Sequence, residues 1–144
     1  MSIIRATFQP WAGARVPNYG GKPIIDYGGR PLFAELGALE RFRADGWAGV
    51  WVDSYRRKYR DAMPPAAVDL PTPHKATLDR IRTRSGRRGG AWDVFLWRAT
   101  DYLFVELKLA GCDVVQDNQK VFLEAALDSG IPLEAFHLLE WRLA

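Results

Sequence analysis

Two apolar runs constrain this chain more than any other feature. Trp92 to Trp97 and Tyr102 to Leu109 are separated only by Arg98, Ala99, Thr100 and Asp101, a link short enough to force an antiparallel hairpin. The second run is apolar on both faces through Phe104, which places it inside a sheet rather than at an edge. Side chains alternate along a strand, so Glu106 and Lys108 project from one face, two residues apart. Charges on one face of a central strand cost several kcal/mol unless a cation or hydrogen-bonded partners offset them.

The flanking sequence supplies helices for such a sheet. Pro31 suits a first helical turn, and Leu32, Phe33, Leu36, Leu39 and Phe42 follow at helical spacing up to Gly46. Ala48 to Asp53 reads as a strand, and Met63 to Pro73, with four prolines, as loop. Pro73 to Ser85 reads as a short basic helix ended by Gly86. Asp113 with Gln116 marks the start of a helix running to Ser129, stopped by Gly130 and Pro132, and Leu133 to Leu143 holds a last strand. Residues 1–30, broken by Pro10, Pro17, Pro23 and two glycine pairs, read as an irregular N-terminal extension. The resulting order of helix, three strands, helix and strand predicts an α/β fold, a mixed sheet flanked by helices, in one domain over residues 1–144.

The charge is unevenly spread. Residues 54–90 carry ten basic side chains (Arg56, Arg57, Lys58, Arg60, Lys75, Arg80, Arg82, Arg84, Arg87, Arg88) against three aspartates, a local +7 that leaves −4 for the rest of a chain whose total is +3. This basic insertion points to a polyanionic partner. The longest uncharged run, Ala6 to Ala14, has nine residues, too few for a membrane-spanning helix. No secretory signal pattern opens the chain, and Cys112 is the only cysteine. An intrachain disulfide and a cysteine zinc cluster are excluded, and a reducing cytoplasm is the expected location.

Asp93 lies in the first strand of the hairpin, in an otherwise apolar run. With Glu106 and Lys108 it would bring two carboxylates and an ammonium to one sheet face, the set a hard Mg²⁺ site needs. Glu35 falls inside the apolar sector of the first helix, but so does Glu40, and periodicity does not choose between them. Gln119 faces the sheet from the later helix, where its amide is placed to hold a water or a phosphate oxygen.

Asp93, then Glu106-Leu107-Lys108 thirteen residues on, then Gln119 in the next helix, resembles the PD-(D/E)xK nuclease superfamily. G-G-A-W-D-V-F-L-W, L-F-V-E-L-K and D-N-Q-K-V-F-L are most similar to its VRR-NUC branch, over about Gly89 to Leu139. A glutamate eleven residues before a glycine-aromatic pair is similar to the Holliday-junction resolvase branch; Glu35 has that spacing to Gly46-Trp47 and Glu40 does not. Trp92 replaces the usual proline, and the basic insertion is foreign to the minimal core.

The resemblance implies a restriction-endonuclease-like αβββαβ core and a Mg²⁺-dependent deoxyribonuclease in which Mn²⁺ substitutes. Asp93, Glu106 and the Leu107 carbonyl would hold the metal, and Glu35 would bind it through water or hold a second ion. Lys108 would orient the attacking water, with a 5′-phosphate product. Arg56, Arg57, Lys58, Arg80, Arg82, Arg84, Arg87 and Arg88 would track the DNA backbone. Junction-cleaving relatives act as homodimers, although no separate dimerisation element is visible here. The alternative is an inactive nuclease-fold module for DNA binding or assembly.

Other residues read as structural. His74 and His137 lack a second histidine at ligand spacing, which argues against zinc or a Ser-His-Asp triad, and His137 reads as a satisfied core histidine. Trp11 and Tyr19, in the glycine-rich N-terminal segment, are the aromatics available to stack on bases. Cys112 reads as inert.

Overall fold

The computed structural model describes residues 1–18 and 20–144. Eight strands form one mixed sheet: β1 (Ser2–Pro10), β2 (Ile24–Tyr27), β3 (Arg30–Phe33), β4 (Ala48–Asp53), β5 (Lys58–Arg60), β6 (Val94–Arg98), β7 (Asp101–Leu109) and β8 (Phe136–Leu143). Among the described residues three α-helices accompany them, α1 (Ala34–Ala44), α2 (Thr72–Ser85) and α3 (Asp117–Asp128). The spatial order is β3-β2-β1-β8-β7-β6-β4-β5. β8 runs parallel to both its neighbours, β1 and β7, whereas β6 is antiparallel to β7 and to β4.

Two apolar layers follow from this order. On one face α1 packs Leu36, Ala38 and Leu39 with Ile25, Phe33, Trp51, Val94, Val105 and Leu139. On the other, Leu78 and Ile81 of α2 and Phe122 and Ala126 of α3 cover Val50, Phe95, Phe104 and Phe136. Phe95, Phe104 and Phe136 stack across β6, β7 and β8 with centroids 4.9 and 5.1 Å apart. Such cross-strand aromatic pairs reinforce the register of the central strands. β7 is internal, as its two apolar faces require. Among the described residues no helix is long and apolar enough to cross a membrane.

The N-terminal segment differs from the expectation of an irregular extension. Ile4, Ala6 and Phe8 alternate inward along β1, a period-two pattern short enough to be masked by the prolines that follow it. Pro10 ends that strand, after its pairing with β8 has finished at Phe8, so it interrupts no ladder bond there. Pro31, expected in the first helical turn, instead lies in β3, an edge strand where a missing N–H is tolerated, and α1 begins three residues later at Ala34.

Asp113 does not start a helix. Its carboxylate accepts the Leu109 N–H at 3.0 Å and closes the turn after β7. α3 begins at Asp117, and Gln119 Oε1 accepts the Gln116 N–H at 2.8 Å to cap it. The basic insertion is a real excursion, since β5 and α2 both fall between the core strands β4 and β6. His137 is half-buried with its Nδ1 unpartnered, not the satisfied core histidine expected, because the atom lies in a dense sheet face without an acceptor or donor in reach.

Gly90 fixes the approach to β6. Its φ is +91°, and a Cβ there would collide with the Asn118 backbone carbonyl in the first turn of α3. Gly90→Ala should therefore destabilise the protein by about 2 kcal/mol or more, read as a lower denaturant midpoint with an unchanged slope.

Candidate active site

The site is built where β6 leaves β7. Their ladder ends at Val94 opposite Val105, and two carboxylates then take the place of backbone acceptors. Glu106 Oε1 accepts the Asp93 N–H at 3.1 Å, and Asp93 Oδ2 accepts the Leu107 N–H at 3.0 Å. Beyond the split, the Val52 N–H donates to the Asp93 carbonyl at 2.7 Å, which ties this segment to β4. Trp92 donates its indole N–H to the Gln119 carbonyl at 3.1 Å and stacks edge-on against Phe136. Asp93 is thus held from three sides. Within an extended strand the N–H and C=O of one residue face the same side, so the Leu107 carbonyl is directed toward Asp93 as well.

Gln119 ties the charged groups together. Its Nε2 donates to Glu106 Oε2 at 2.6 Å, while its Oε1 accepts from Lys108 Nζ at 3.0 Å and from the Gln116 N–H. Lys108 Nζ also lies 3.0 Å from Glu106 Oε2. The carbonyl end of Gln119 is therefore committed to the protein, which makes it a positioning residue for Glu106 and Lys108 rather than a free ligand for phosphate. Only 2% of the Glu106 side chain and 12% of Lys108 are exposed, so the pair sits largely out of water.

Electrostatics reflect that crowding. Burial raises the Asp93 carboxyl well above the usual carboxylate range, and repulsion from Glu106 and then Glu35 adds to it. Burial raises Glu106 too, but the Lys108 ammonium favours its charged form. Asp93 retains partial exposure at a cleft of about 670 Å³ lined by Lys22, Trp51, Asp53, Tyr55, Gly90 and Gln119 among others.

The structure separates the two glutamates that periodicity left open. Glu35 reaches the electrostatic surroundings of Asp93 and pairs with Lys22 at 2.6 Å. Glu40 instead pairs with Arg43 at 2.9 Å and Arg30 at 3.7 Å. Lys22, whose ammonium also lies 5.3 Å from the Trp51 ring centroid, escaped the sequence reading because its segment looked irregular. The Gly20-Gly21 pair just before it, with φ of +61° and +76°, is the local signal that the chain turns back there.

The basic residues divide by location. Arg57, Lys58, Arg82, Arg87 and Arg88 line a second cleft of about 700 Å³, which shares Val52 to Tyr55 and Gly89 with the first. Arg56 lines the first cleft and pairs with Asp53 at 3.5 Å. Arg60 is buried against Asp53 at 3.0 Å and serves the core. Arg84 lies 3.8 Å from Asp128, and Arg80 lines a different depression with Trp47 and Tyr102. Trp11 donates its indole N–H to the Ala14 carbonyl and packs over Gly13, while Tyr19 lies outside the described residues. His74 is occupied structurally, with Nδ1 2.9 Å from the Tyr102 hydroxyl and its ring on Trp97.

Comparison with known protein families, curated proteins and solved structures finds no match to this chain. The donor set is hard oxygen from Asp93, Glu106 and the Leu107 carbonyl, with both carboxyls raised in pKa chiefly by burial. Among the described residues no cluster of three or more His, Cys, Asp or Glu side chains is arranged around a metal position. Two carboxylates suffice for Mg²⁺, which keeps several waters and takes substrate phosphate as a further ligand. The donors are of the hard oxygen kind that ion takes, with Asp93 the one that lines the cleft.

A carboxyl raised in the fold opposes folding whenever it must ionise. Stability should fall as pH rises from the ordinary carboxylate range through the raised folded value of Asp93, and the penalty is complete above it. Asp93→Asn keeps an acceptor for the Leu107 N–H and removes the charge. It should raise Tm by a few degrees at pH 8 and by less in mild acid, as checked by thermal unfolding across pH.

Proposed function

We propose that the protein is a Mg²⁺-dependent nuclease hydrolysing DNA phosphodiesters, with Mn²⁺ as a substitute ion. The observation that carries this reading is the exchanged pair Asp93 and Glu106, with Lys108 beside it, at a cleft that Asp93 lines and that shares Val52 to Tyr55 and Gly89 with an arginine-lined one. A structural ion pair needs no such neighbour. The element order α1, β4, β6, β7, α3, β8 follows the αβββαβ core of restriction-endonuclease-like nucleases, with β5 and α2 as an insertion.

Asp93, Glu106 and the Leu107 carbonyl would hold the ion, with Glu35 acting through water. When bound, Mg²⁺ lowers the pKa of a coordinated water and offsets charge on the scissile phosphate. Lys108 has two of its three donors directed at Glu106 and Gln119, which leaves one for the attacking water or a phosphate oxygen. Held in that geometry, it stabilises negative charge as it grows on the phosphate without reorganising. Gln119 keeps Lys108 and Glu106 in register. The arginine-lined cleft holds the DNA backbone and contributes affinity without reading sequence. Ser54 Oγ and Arg82 Nε, buried and unpartnered beside it, fit a surface whose polar groups are completed by a bound anion.

A panel of labelled DNA structures incubated with Mg²⁺, with Mn²⁺ and with chelator tests the reading directly. Asp93→Ala and Glu106→Ala should each lower metal-dependent cleavage by about 10³-fold or more while DNA binding persists. Near wild-type cleavage by either would overturn it. Glu35→Gln should lose most activity and Glu40→Gln little. Phosphate contacts set the salt dependence of binding, at about 0.9 in log–log slope for each phosphate neutralised. Replacing Arg57, Arg87 and Arg88 by Gln should flatten that slope by about two to three units, and replacing Arg80 and Arg84 should leave it unchanged.

A further inference from the structure

The turn between β4 and β5 carries a side chain that neither core layer uses. Tyr55 is 90% exposed, the most exposed large hydrophobic side chain among the described residues. It lines both clefts, so it stands on the ridge between the arginine-lined cleft and the one that reaches Asp93.

The turn that presents it is pinned. Asp53, buried at the end of β4, accepts the Arg56 N–H at 3.4 Å and Arg60 Nε at 3.0 Å, and the Arg57 N–H donates to the Ser54 carbonyl at 3.2 Å. Arg57 adopts a left-handed backbone with φ of +55°, which a non-glycine residue takes only where its surroundings impose it. The Arg56 guanidinium, 5.4 Å from the Tyr55 ring centroid and 3.5 Å from Asp53 Oδ2, links the ring to the same buried carboxylate. Arg56, Arg57 and Lys58 follow Tyr55 directly in the chain, and Arg57 and Lys58 line the arginine-lined cleft with it.

An exposed aromatic ring on a rigid, cationic turn has the chemistry of a nucleic-acid stacking platform, in which phosphate is held by charge and a base by its π-face. The faces of bases inside a duplex are covered by their neighbours, so only an unpaired base can offer one to such a ring. We propose that Tyr55 stacks on an unpaired base, and that the preferred DNA carries single-stranded nucleotides next to the scissile phosphate. This rests on the nuclease reading and adds to it the structural class of substrate. The ridge position supplies the geometry: a strand followed along the arginine-lined cleft toward Asp93 passes Tyr55 on the way.

The experiment measures binding by fluorescence anisotropy in chelator, so that no cleavage intervenes, on a blunt duplex and on the same duplex extended by a single-stranded overhang. A 2-aminopurine placed in the overhang reports stacking by quenching. The wild type should prefer the overhang substrate and quench the probe. Tyr55→Ala should lose about 5- to 100-fold in affinity for the overhang and abolish quenching, with blunt-duplex affinity changed less than twofold. Tyr55→Phe, which keeps the ring, should behave as wild type. No effect of Tyr55→Ala, or an equal loss on both substrates, overturns the stacking role while leaving the nuclease reading intact. Failure of the wild type to bind either DNA overturns both.

Discussion

The structure depends on an exchange of hydrogen bonds at the point where two antiparallel strands part. A sheet that opens between neighbouring strands leaves backbone N–H groups without acceptors, at a cost comparable to a lost hydrogen bond for each. Here Glu106 satisfies the Asp93 N–H and Asp93 satisfies the Leu107 N–H. The split therefore persists only because two carboxylates cross it. Those carboxylates are in turn held at close quarters by the strands they stabilise.

That arrangement trades electrostatics for geometry. Charge on both carboxylates opposes their burial, and Lys108 offsets it on one side only. A cluster built purely for stability would be better served by an apolar substitution. The residual repulsion on Asp93 is what the proposed cation would relieve. The single amide of Gln119 couples this site to the helix cap of α3, so the orientation of that helix and the placing of Lys108 are one constraint.

Much of this was legible in the sequence where hydrophobic period and charge conflict. Glu106 and Lys108 stand out because a strand apolar on both faces has no other reason to carry them, and the short link to Asp93 brings the second carboxylate within reach. The boundaries of β4 and the stop of α2 at Gly86, with φ of +68°, follow from local composition and turn chemistry. Partners contributed by long-range packing were not legible. Lys22 meets Glu35 and lines the Asp93 cleft only because the N-terminal strands join the sheet, and no local period announces that. Tyr55 was passed over for the opposite reason, since an exposed tyrosine has no pattern until the clefts on either side of it are known. The division of the arginines between cleft, core and remote surface likewise belongs to tertiary structure.

β8 runs parallel to both β1 and β7, and its placement between them has a kinetic consequence. Ser2 pairs with His137, so the strand that joins the two halves of the sheet must find a partner more than a hundred residues away along the chain. Closing so long a loop carries an entropic cost that is met before the contacts repay it, and folds dominated by such pairings form slowly. β8 meets β7 across a far shorter stretch of chain, Phe104 pairing with Phe136, so the strand that bears Glu106 and Lys108 gains its second neighbour without that closure. The carboxylate pair therefore does not wait on the slow step, which brings β1 to the far side of β8.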